Sequence, residues 1–207
     1  MSVLQCRRGH YMGTQKFTII ALSGKAQVGK TTLSLMLHKR FPTYHRFSFE
    51  DALKQDMAAY FGLRTRELHG DKETVFDLGE VGEKNGIVHP LKLRELLEWY
   101  RRKGPQSTQR TYWINSANRV FRLYEAKGMS GLIIDDVLFP DEANLIKRWR
   151  GFLACIMPYP DYPLAADEPM ASAIALEGYK GFDAIYLPAY GEEALEGVAN
   201  EIAKALR

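Results

Sequence analysis

Apolar runs alternate with amphipathic stretches along most of the chain. Residues 17–22 (FTIIAL) and 131–137 (GLIIDDV) are almost continuously apolar, which is typical of strands buried on both faces of a sheet. In residues 91–102 the apolar positions recur at helical spacing instead. Further strands are predicted at 44–49, 152–158 and 182–188, and further helices at 31–40, 51–61, 112–127, 141–150 and 192–206.

This alternation of strands and helices predicts the fold class. It favours an α/β protein in which a central parallel sheet is flanked by helices, that is, a fold of three layers. Residues 1–15 contain no apolar run, so we predict a flexible N-terminal leader there. Residues 16–207 are predicted to form one domain, within which residues 62–90 form an irregular excursion with short helices.

Composition narrows the function classes only slightly. The chain has 207 residues and a formal net charge of +3, which suits anionic ligands but is too weak to establish nucleic-acid binding. Its two cysteines, Cys6 and Cys155, form no disulfide framework, so a reducing cytoplasm is expected. No apolar run is long enough to span a membrane. The oligomeric state, including a homodimer, is left open.

A glycine-bearing segment follows the first long apolar run. Residues 24–31 (GKAQVGKT) match the pattern G-x-x-x-x-G-K-[ST] between a predicted strand and a predicted helix, which is the context of a phosphate-binding P-loop. Lys30 is expected to reach the β- and γ-phosphates of ATP, and the Thr31 hydroxyl to bind Mg²⁺. The predicted nucleotide-binding residues are Gly24, Lys25, Ala26, Gln27, Val28, Gly29, Lys30, Thr31 and Thr32. In the alternative interpretation of Lys25, its side chain is a solvated loop lysine that makes no phosphate contact. The predicted fold is therefore that of a P-loop NTPase or kinase.

Two acids end the apolar run at 131–137. P-loop enzymes need an acid at the end of another strand to hold Mg²⁺, directly or through water, and Asp135 and Asp136 are the candidates. We assign Asp135 to the metal together with Thr31, and Asp136 to catalysis. Which acid serves which role stays open, and one of them caps the following turn in the alternative interpretation.

Several segments together resemble one known family. Residues 47–62, 91–100, 110–113, 133–147 and 179–202 are similar, in order, to segments of the bacteriophage deoxynucleoside monophosphate kinases. The resemblance extends from about residue 17 to the end of the chain. It implies a thymidylate-kinase-like fold that uses ATP and Mg²⁺ to transfer the γ-phosphate to a deoxynucleotide.

The same resemblance implies an acceptor site. Arg94 is expected to clamp the acceptor phosphate, since an arginine binds phosphate through two parallel hydrogen bonds. Asp51 is expected either to accept a proton from the attacking oxygen or to orient that oxygen. Phe49 and Trp113 are expected to stack on the acceptor base, and the other implied acceptor residues are Lys54 and Arg110. Each has a structural alternative: Arg94 pairs with Glu98, Asp51 caps its helix, and the two aromatic residues pack in the core.

The chain departs from the family pattern in two places. Leu138 stands where the family has an arginine, so a cation among residues 147–150 substitutes or the acceptor differs. The segment 170–179 lacks the family's histidine and acid. A mobile lid is expected from residues 138–150 or from 158–170.

These departures keep two further functions open. Related phage kinases phosphorylate 5-hydroxymethyluracil within DNA, and the basic segments 100–103 and 147–150 suit a DNA backbone. The other function is a regulatory module that binds a nucleotide without turnover.

Overall fold

The computed structural model describes residues 2–6, 17–25, 27–104, 112–158, 176, 178–189 and 191–206. The chain divides into two compact units. We call Met1–Phe49 together with Asn118–Arg207 the sheet unit, and Glu50–Ala117 the helical unit. The prediction of one domain over residues 16–207 stays a prediction.

The sheet unit is built on a six-stranded sheet. Its strands are β1 (Ser2–Cys6), β2 (Thr18–Ser23), β3 (Tyr44–Phe47), β6 (Gly131–Val137), β7 (Phe152–Ile156) and β8 (Ala184–Leu187). Their order across the sheet is β1-β8-β7-β2-β6-β3. The five strands from β8 to β3 run parallel, and the carboxyl ends of β2, β6 and β7 therefore meet at one edge.

Helices cover both faces of this sheet. Ile20 and Leu22 of β2 pack in one buried cluster with α1 (Lys30–Arg40) and α7 (Glu192–Ala205). Ile19 points to the other face, because successive side chains of a strand alternate. A Cβ built on Gly151 would lie 3.0 Å from Ile19 Cβ and 2.8 Å from Ile146 Cγ2 of α6 (Pro140–Arg148). The predicted α/β fold with a central parallel sheet flanked by helices is confirmed.

The N-terminal segment differs from the predicted leader. Ser2–Cys6 forms β1, which pairs antiparallel with β8 from Ser2 opposite Leu187 to Cys6 opposite Ala184. The physical reason is that the outer edge of β8 carries backbone donors and acceptors that a further strand satisfies. Residues 7–16 lie outside the described part.

The helical unit has its own core. It contains most of α2 (Phe49–Phe61), a 3₁₀ helix (Thr65–His69), the two-stranded pair β4 (Val75–Phe76) and β5 (Leu91–Lys92), α3 (Gly79–Lys84), α4 (Leu93–Lys103) and the start of α5 (Tyr112–Ala126). The buried residues Leu53 and Met57 of α2 pack with Leu93, Leu96 and Tyr100 of α4. The short helices Thr65–His69 and Gly79–Lys84 agree with the short helices predicted within residues 62–90. Of the helices that the structure describes, none is long and apolar enough to cross a membrane.

Candidate active site

The backbone between β2 and α1 has positive φ angles at three of its described positions. Gly24, Gln27 and Gly29 have φ values of 141°, 60° and 89°, a region that side chains disfavour and glycine tolerates. Neighbouring atoms also exclude larger residues. A Cβ on Gly24 would lie 2.1 Å from Ile156 O, and one on Gly29 would lie 2.7 Å from Leu195 Cδ1. The two motif glycines are therefore required by both conformation and space.

The side chain of Lys30 is held over this loop by two backbone carbonyls of the loop. Its ammonium group donates a hydrogen bond of 2.8 Å to the carbonyl of Gly24 and a second one to the carbonyl of Lys25. Because Lys30 is also the first residue of α1, its charge is added to the partial positive charge of that helix N-terminus. The arrangement adds positive charge at the start of α1, and positive charge together with the N–H groups of a helix N-terminus favours the binding of phosphate oxygens. Ala26 lies outside the described residues.

Asp135 is linked to the first turns of α1. The Ser34 hydroxyl lies 3.0 Å from Asp135 Oδ2 and 3.0 Å from the carbonyl of Thr31, and its single proton serves one of them at a time. Arg46 of β3 approaches the same carboxylate oxygen at 3.2 Å. The Asp135 carboxylate therefore lies close to the turn of α1 that carries the predicted metal ligand Thr31.

Asp136 has a different environment. Its carboxylate accepts hydrogen bonds from the Ser48 hydroxyl at 2.7 Å and from the Phe49 amide at 3.1 Å. These contacts cap the first turn of α2, since the amides there have no partner within the helix. Two adjacent acids on β6 point to opposite faces, so one contacts α1 and the other contacts α2. The structure thus gives Asp136 a structural role, and its catalytic role stays a prediction.

The oxygen donors Thr31 and Asp135 form a candidate Mg²⁺ site. The described residues contain no cluster of three or more His, Cys, Asp or Glu that would hold a metal by itself. Mg²⁺ is held in nucleotide enzymes by one or two protein oxygens together with water and phosphate oxygens. The Thr31 hydroxyl and the Asp135 carboxylate are oxygen donors of that kind, so the residues present fit the ion.

A cavity of about 310 Å³ adjoins the phosphate loop. Part of its lining is formed by Gln27, Gly29 and Thr32, which were predicted from the sequence to bind the nucleotide. The remaining lining comes from the ends of β7 and β8 and the start of α7: Val28, Met157, Pro158, Pro188, Ala189, Gly191, Glu192 and Leu195. Apart from Val28, none of these residues was predicted from the sequence to line the site. They could have been found from their positions just after two predicted parallel strands, since ligands of α/β proteins bind at the carboxyl edge of the sheet.

The helical unit contains most of the predicted acceptor residues. Arg94 forms an ion pair of 3.1 Å with Glu73; the alternative partner, Glu98, pairs with Arg102 instead. Lys54 is buried and pairs with Glu50 at 2.9 Å. Asp51 lies in the first turn of α2 with His69 Nδ1 3.5 Å away. Trp113 is half-buried, and Arg110 lies outside the described residues.

Phe49 has a core role in the structure. Its side chain is 2% exposed, and its ring contacts Phe47 and Phe121 at centroid distances of 5.5 and 6.4 Å. A ring enclosed in this way offers no free face to a nucleobase. The prediction of Phe49 as a stacking platform for the acceptor base is therefore not supported, and the packing alternative applies.

Residues 138–150 do not have the properties of a mobile lid. Ala143, Leu145 and Ile146 of α6 are buried, and buried Glu142 accepts hydrogen bonds from the amides of Leu138 and Phe139. The lid prediction for this segment is therefore not supported. The alternative, 158–170, lies outside the described residues except for Pro158.

Lys147 is one of the cations expected to substitute for the arginine that the resembled family has at the position of Leu138. Its ammonium group lies 2.6 and 2.7 Å from the two carboxylate oxygens of Asp183. Asp183 also accepts the Leu153 amide. Lys147 therefore stabilises the contact of α6 with the sheet. Because its ammonium group is paired with Asp183, it does not serve as a substitute cation for the substrate.

Comparisons with known proteins give fold-level likenesses alone. No family model and no curated protein matches the chain. Among solved structures, a shikimate kinase from Bacteroides thetaiotaomicron has 15% sequence identity and a TM-score of 0.43, covering 91% of this chain and 98% of that one. A dephospho-CoA kinase from Campylobacter jejuni has 12% identity and a TM-score of 0.49, covering 90% and 95%. At these TM-scores neither likeness supports a conclusion about function.

Proposed function

We propose that the protein is an ATP-dependent P-loop kinase that transfers the γ-phosphate of ATP to a deoxynucleoside monophosphate. The observation that carries this proposal is the loop at residues 24–31. It combines left-handed backbone at Gly24 and Gly29, a lysine held by the loop carbonyls, and a helix that begins at that lysine. Phosphoryl transfer depends mainly on positioning and charge neutralisation, and this loop supplies both on the ATP side.

Two residues would hold the metal ion in this function. Thr31 and Asp135 would bind Mg²⁺, which neutralises charge on the β- and γ-phosphates. Ser34 orients the Asp135 carboxylate through its hydroxyl. Lys30 places a second positive charge at the loop, where it favours the charge that develops on the transferred phosphoryl group.

The cavity beside the loop suits the nucleoside part of ATP. Its lining is largely apolar, with Val28, Pro188 and Leu195 among its walls, and small-molecule sites are typically apolar with a few polar groups. The cavity is continuous with Gly29 and Thr32 of the phosphate loop. A bound nucleoside triphosphate would therefore leave its phosphates at the loop and its base in the cavity.

The acceptor assignment depends on the family resemblance and on the cations of the helical unit. Arg94, Lys54, Arg110, Trp113 and Asp51 are the proposed acceptor residues. Arg94 is 40% exposed in its side chain and paired with an exposed glutamate, and such surface pairs are worth about 0–1 kcal/mol. It can therefore exchange Glu73 for an acceptor phosphate at little cost. We further propose that the enzyme acts in the cytoplasm.

A DNA acceptor is the second candidate function. The observation that favours it is the loss of the family's arginine at Leu138, while nearby Lys147 is engaged by Asp183. A kinase of 5-hydroxymethyluracil in DNA would keep the ATP loop and change the acceptor contacts. It would need to expose the target base before transfer.

One experiment separates these functions. The protein is incubated with γ-labelled ATP and Mg²⁺, in parallel with the four deoxynucleoside monophosphates and with DNA that contains 5-hydroxymethyluracil. We expect label in a deoxynucleoside diphosphate. Label in the DNA alone would support the second candidate, and label in neither, with ATP bound, would indicate a nucleotide-binding module without turnover.

A further inference from the structure

One carboxylate oxygen near the end of β6 receives two donors. Oδ2 of Asp135 lies 3.0 Å from the Ser34 hydroxyl of α1 and 3.2 Å from Nη2 of Arg46 in β3. Among the residues that the structure describes, these two are the polar partners of Asp135, and both contact the same oxygen. The other oxygen, Oδ1, is therefore the one that is left for a ligand.

The strand register brings Arg46 to this carboxylate. Arg46 lies opposite Ile133 in the parallel pair of β3 and β6, and Asp135 follows Ile133 by two positions. Because the side chains of a strand alternate between the two faces of the sheet, Ile133 and Asp135 share a face. That face is covered by α1, since Ile133 packs with Leu33 in one buried cluster. Arg46 thus reaches Asp135 along the sheet, while Ser34 reaches it from α1.

Ser34 alone cannot hold the carboxylate in one orientation. Its side chain is fully buried, and its hydroxyl has one proton for two neighbouring acceptors, the Thr31 carbonyl and Asp135 Oδ2, both at 3.0 Å. Whenever that proton is donated to Thr31, Oδ2 needs a donor from elsewhere. Arg46 supplies it, because a guanidinium carries five N–H donors and no acceptor.

The contact of Arg46 does more than shield an edge strand. β3 lies at one end of the strand order, and a charged side chain on such a strand often discourages pairing with another chain. That role needs no partner within the sheet. Asp135, however, is 13% exposed, and a largely buried carboxylate requires hydrogen bonds or an opposite charge. The pairing therefore serves the carboxylate.

We propose that Arg46 is a positioning residue of the Mg²⁺ site: together with Ser34 it engages Oδ2 of Asp135, so that the ion is bound through Oδ1 alone. This inference deepens the proposed kinase function and rests on it. Mg²⁺ requires a near-ideal octahedral shell, keeps several waters and takes one or two carboxylate ligands. A carboxylate that offers one fixed oxygen suits such an ion. Groups that orient a metal ligand typically change metal affinity by about 10–100-fold.

The test measures binding rather than turnover. Titration calorimetry gives the Kd of a non-hydrolysable ATP analogue with Mg²⁺ and with EDTA, and the ratio of the two values is the gain in affinity from the metal. For the wild-type chain we expect a gain of at least about 10-fold, which Asp135→Asn should abolish. Arg46→Gln and Ser34→Ala should each reduce the gain by about 2-fold, because the other donor still holds Oδ2. The double variant should reduce it by about 10-fold, more than the product of the single effects.

Two further variants separate positioning from charge. Arg46→Lys keeps a charged donor, so in the Ser34→Ala background it should restore most of the gain that Arg46→Gln removes. Arg122→Gln is the matched control, because Arg122 is exposed in the same unit and forms no described ion pair. It removes the same charge and should leave both Kd values unchanged.

Several results would overturn the inference. A simple charge effect of Arg46 predicts that Arg46→Gln weakens analogue binding equally with Mg²⁺ and with EDTA. A purely structural role predicts a lower free energy of unfolding in urea with an unchanged metal gain. Independent effects of Arg46→Gln and Ser34→Ala, or a wild-type chain without a metal gain, would also refute it. Failure of the kinase function is distinguishable, because the wild-type chain then transfers no label to any acceptor while the metal gain is still measured.

Discussion

The Ser34 hydroxyl lies 3.0 Å from Oδ2 of Asp135, although 101 positions separate the two residues in the sequence. This contact links the end of β6 to α1, the helix that starts at the phosphate loop. It places the carboxylate within reach of the turn that carries Thr31, because the same hydroxyl also lies 3.0 Å from the Thr31 carbonyl.

Replacing Asp135 with Asn should therefore impair the metal-dependent step. The amide keeps the shape and can still contact Ser34, but it removes the charge proposed for Mg²⁺. We expect kcat to fall by roughly 100-fold, the scale of losing one electrostatic contact at the reaction centre. Ser34→Ala is the matched control and should cost about 10-fold or less. A decrease for Asp135→Asn no larger than that for Ser34→Ala would contradict the assignment.

Lys30 and Lys25 lie in the same loop and are predicted to behave differently. Lys30→Ala removes the ammonium group held over the loop, so we expect kcat to fall by at least about 100-fold. Lys25→Ala keeps the backbone carbonyl that binds Lys30 and should change kcat by less than about 5-fold. Steady-state kinetics with labelled ATP measures both. Equal effects of the two substitutions would contradict the proposed role of Lys30.

Gly24 should tolerate no side chain. In Gly24→Ala the new Cβ would lie 2.1 Å from the Ile156 carbonyl oxygen, so backbone must move. Gly128→Ala is the matched control, because Gly128 also has a positive φ of 72° but nothing lies within 4 Å of its Cβ position. The control should cost about 1 kcal/mol. Gly24→Ala should cost at least ~2 kcal/mol more in the free energy of unfolding by denaturant, and similar losses for both would refute the steric argument.

Glu50 should make stability depend on pH in the acid range. Its folded pKa lies below the ordinary value of 4.5, so its stabilising contribution is complete above 4.5 and is lost as pH falls through the lower folded pKa. Glu50→Gln lacks this titration. We expect the variant to be less stable than the wild type at about pH 7, with a smaller difference at about pH 3. Urea unfolding at both pH values measures it, and a difference that grows on acidification would have the wrong sign.

Cys155 is predicted to be an unreactive thiol. Burial raises its pKa to about 11, against the opposing charge of Lys30. At about pH 8 the thiolate fraction is then roughly 10⁻³, so alkylation by iodoacetamide should be about 100-fold slower than for an exposed thiol. The experiment uses a Cys6→Ser background, and the denatured chain provides the fast reference. Rapid labelling of the folded chain would show that the thiol is activated.

The features that could be predicted from the sequence are those that depend on residues close to one another in the chain. The bounds of β6 were predicted as observed because its residues are almost continuously apolar, and the phosphate loop could be predicted because its pattern occupies consecutive positions. The role of Asp136 was not predicted, since its partners Ser48 and Phe49 lie 88 and 87 positions away. The burial of Phe49 depends on Phe121 from another helix. The contacts of Glu50 with Lys54, Lys72 and Arg101 likewise join residues from three separate segments. A pattern of neighbouring residues cannot predict such contacts.

The pairing of Ser2–Cys6 with β8 has a practical consequence for recombinant work. Trimming the first six residues, or placing a bulky tag against them, would leave one side of β8 with unsatisfied amides and carbonyls. Exposed strands of this kind recruit copies of themselves. Versions of the chain that lack these residues should therefore precipitate more readily than the chain that keeps Ser2–Cys6.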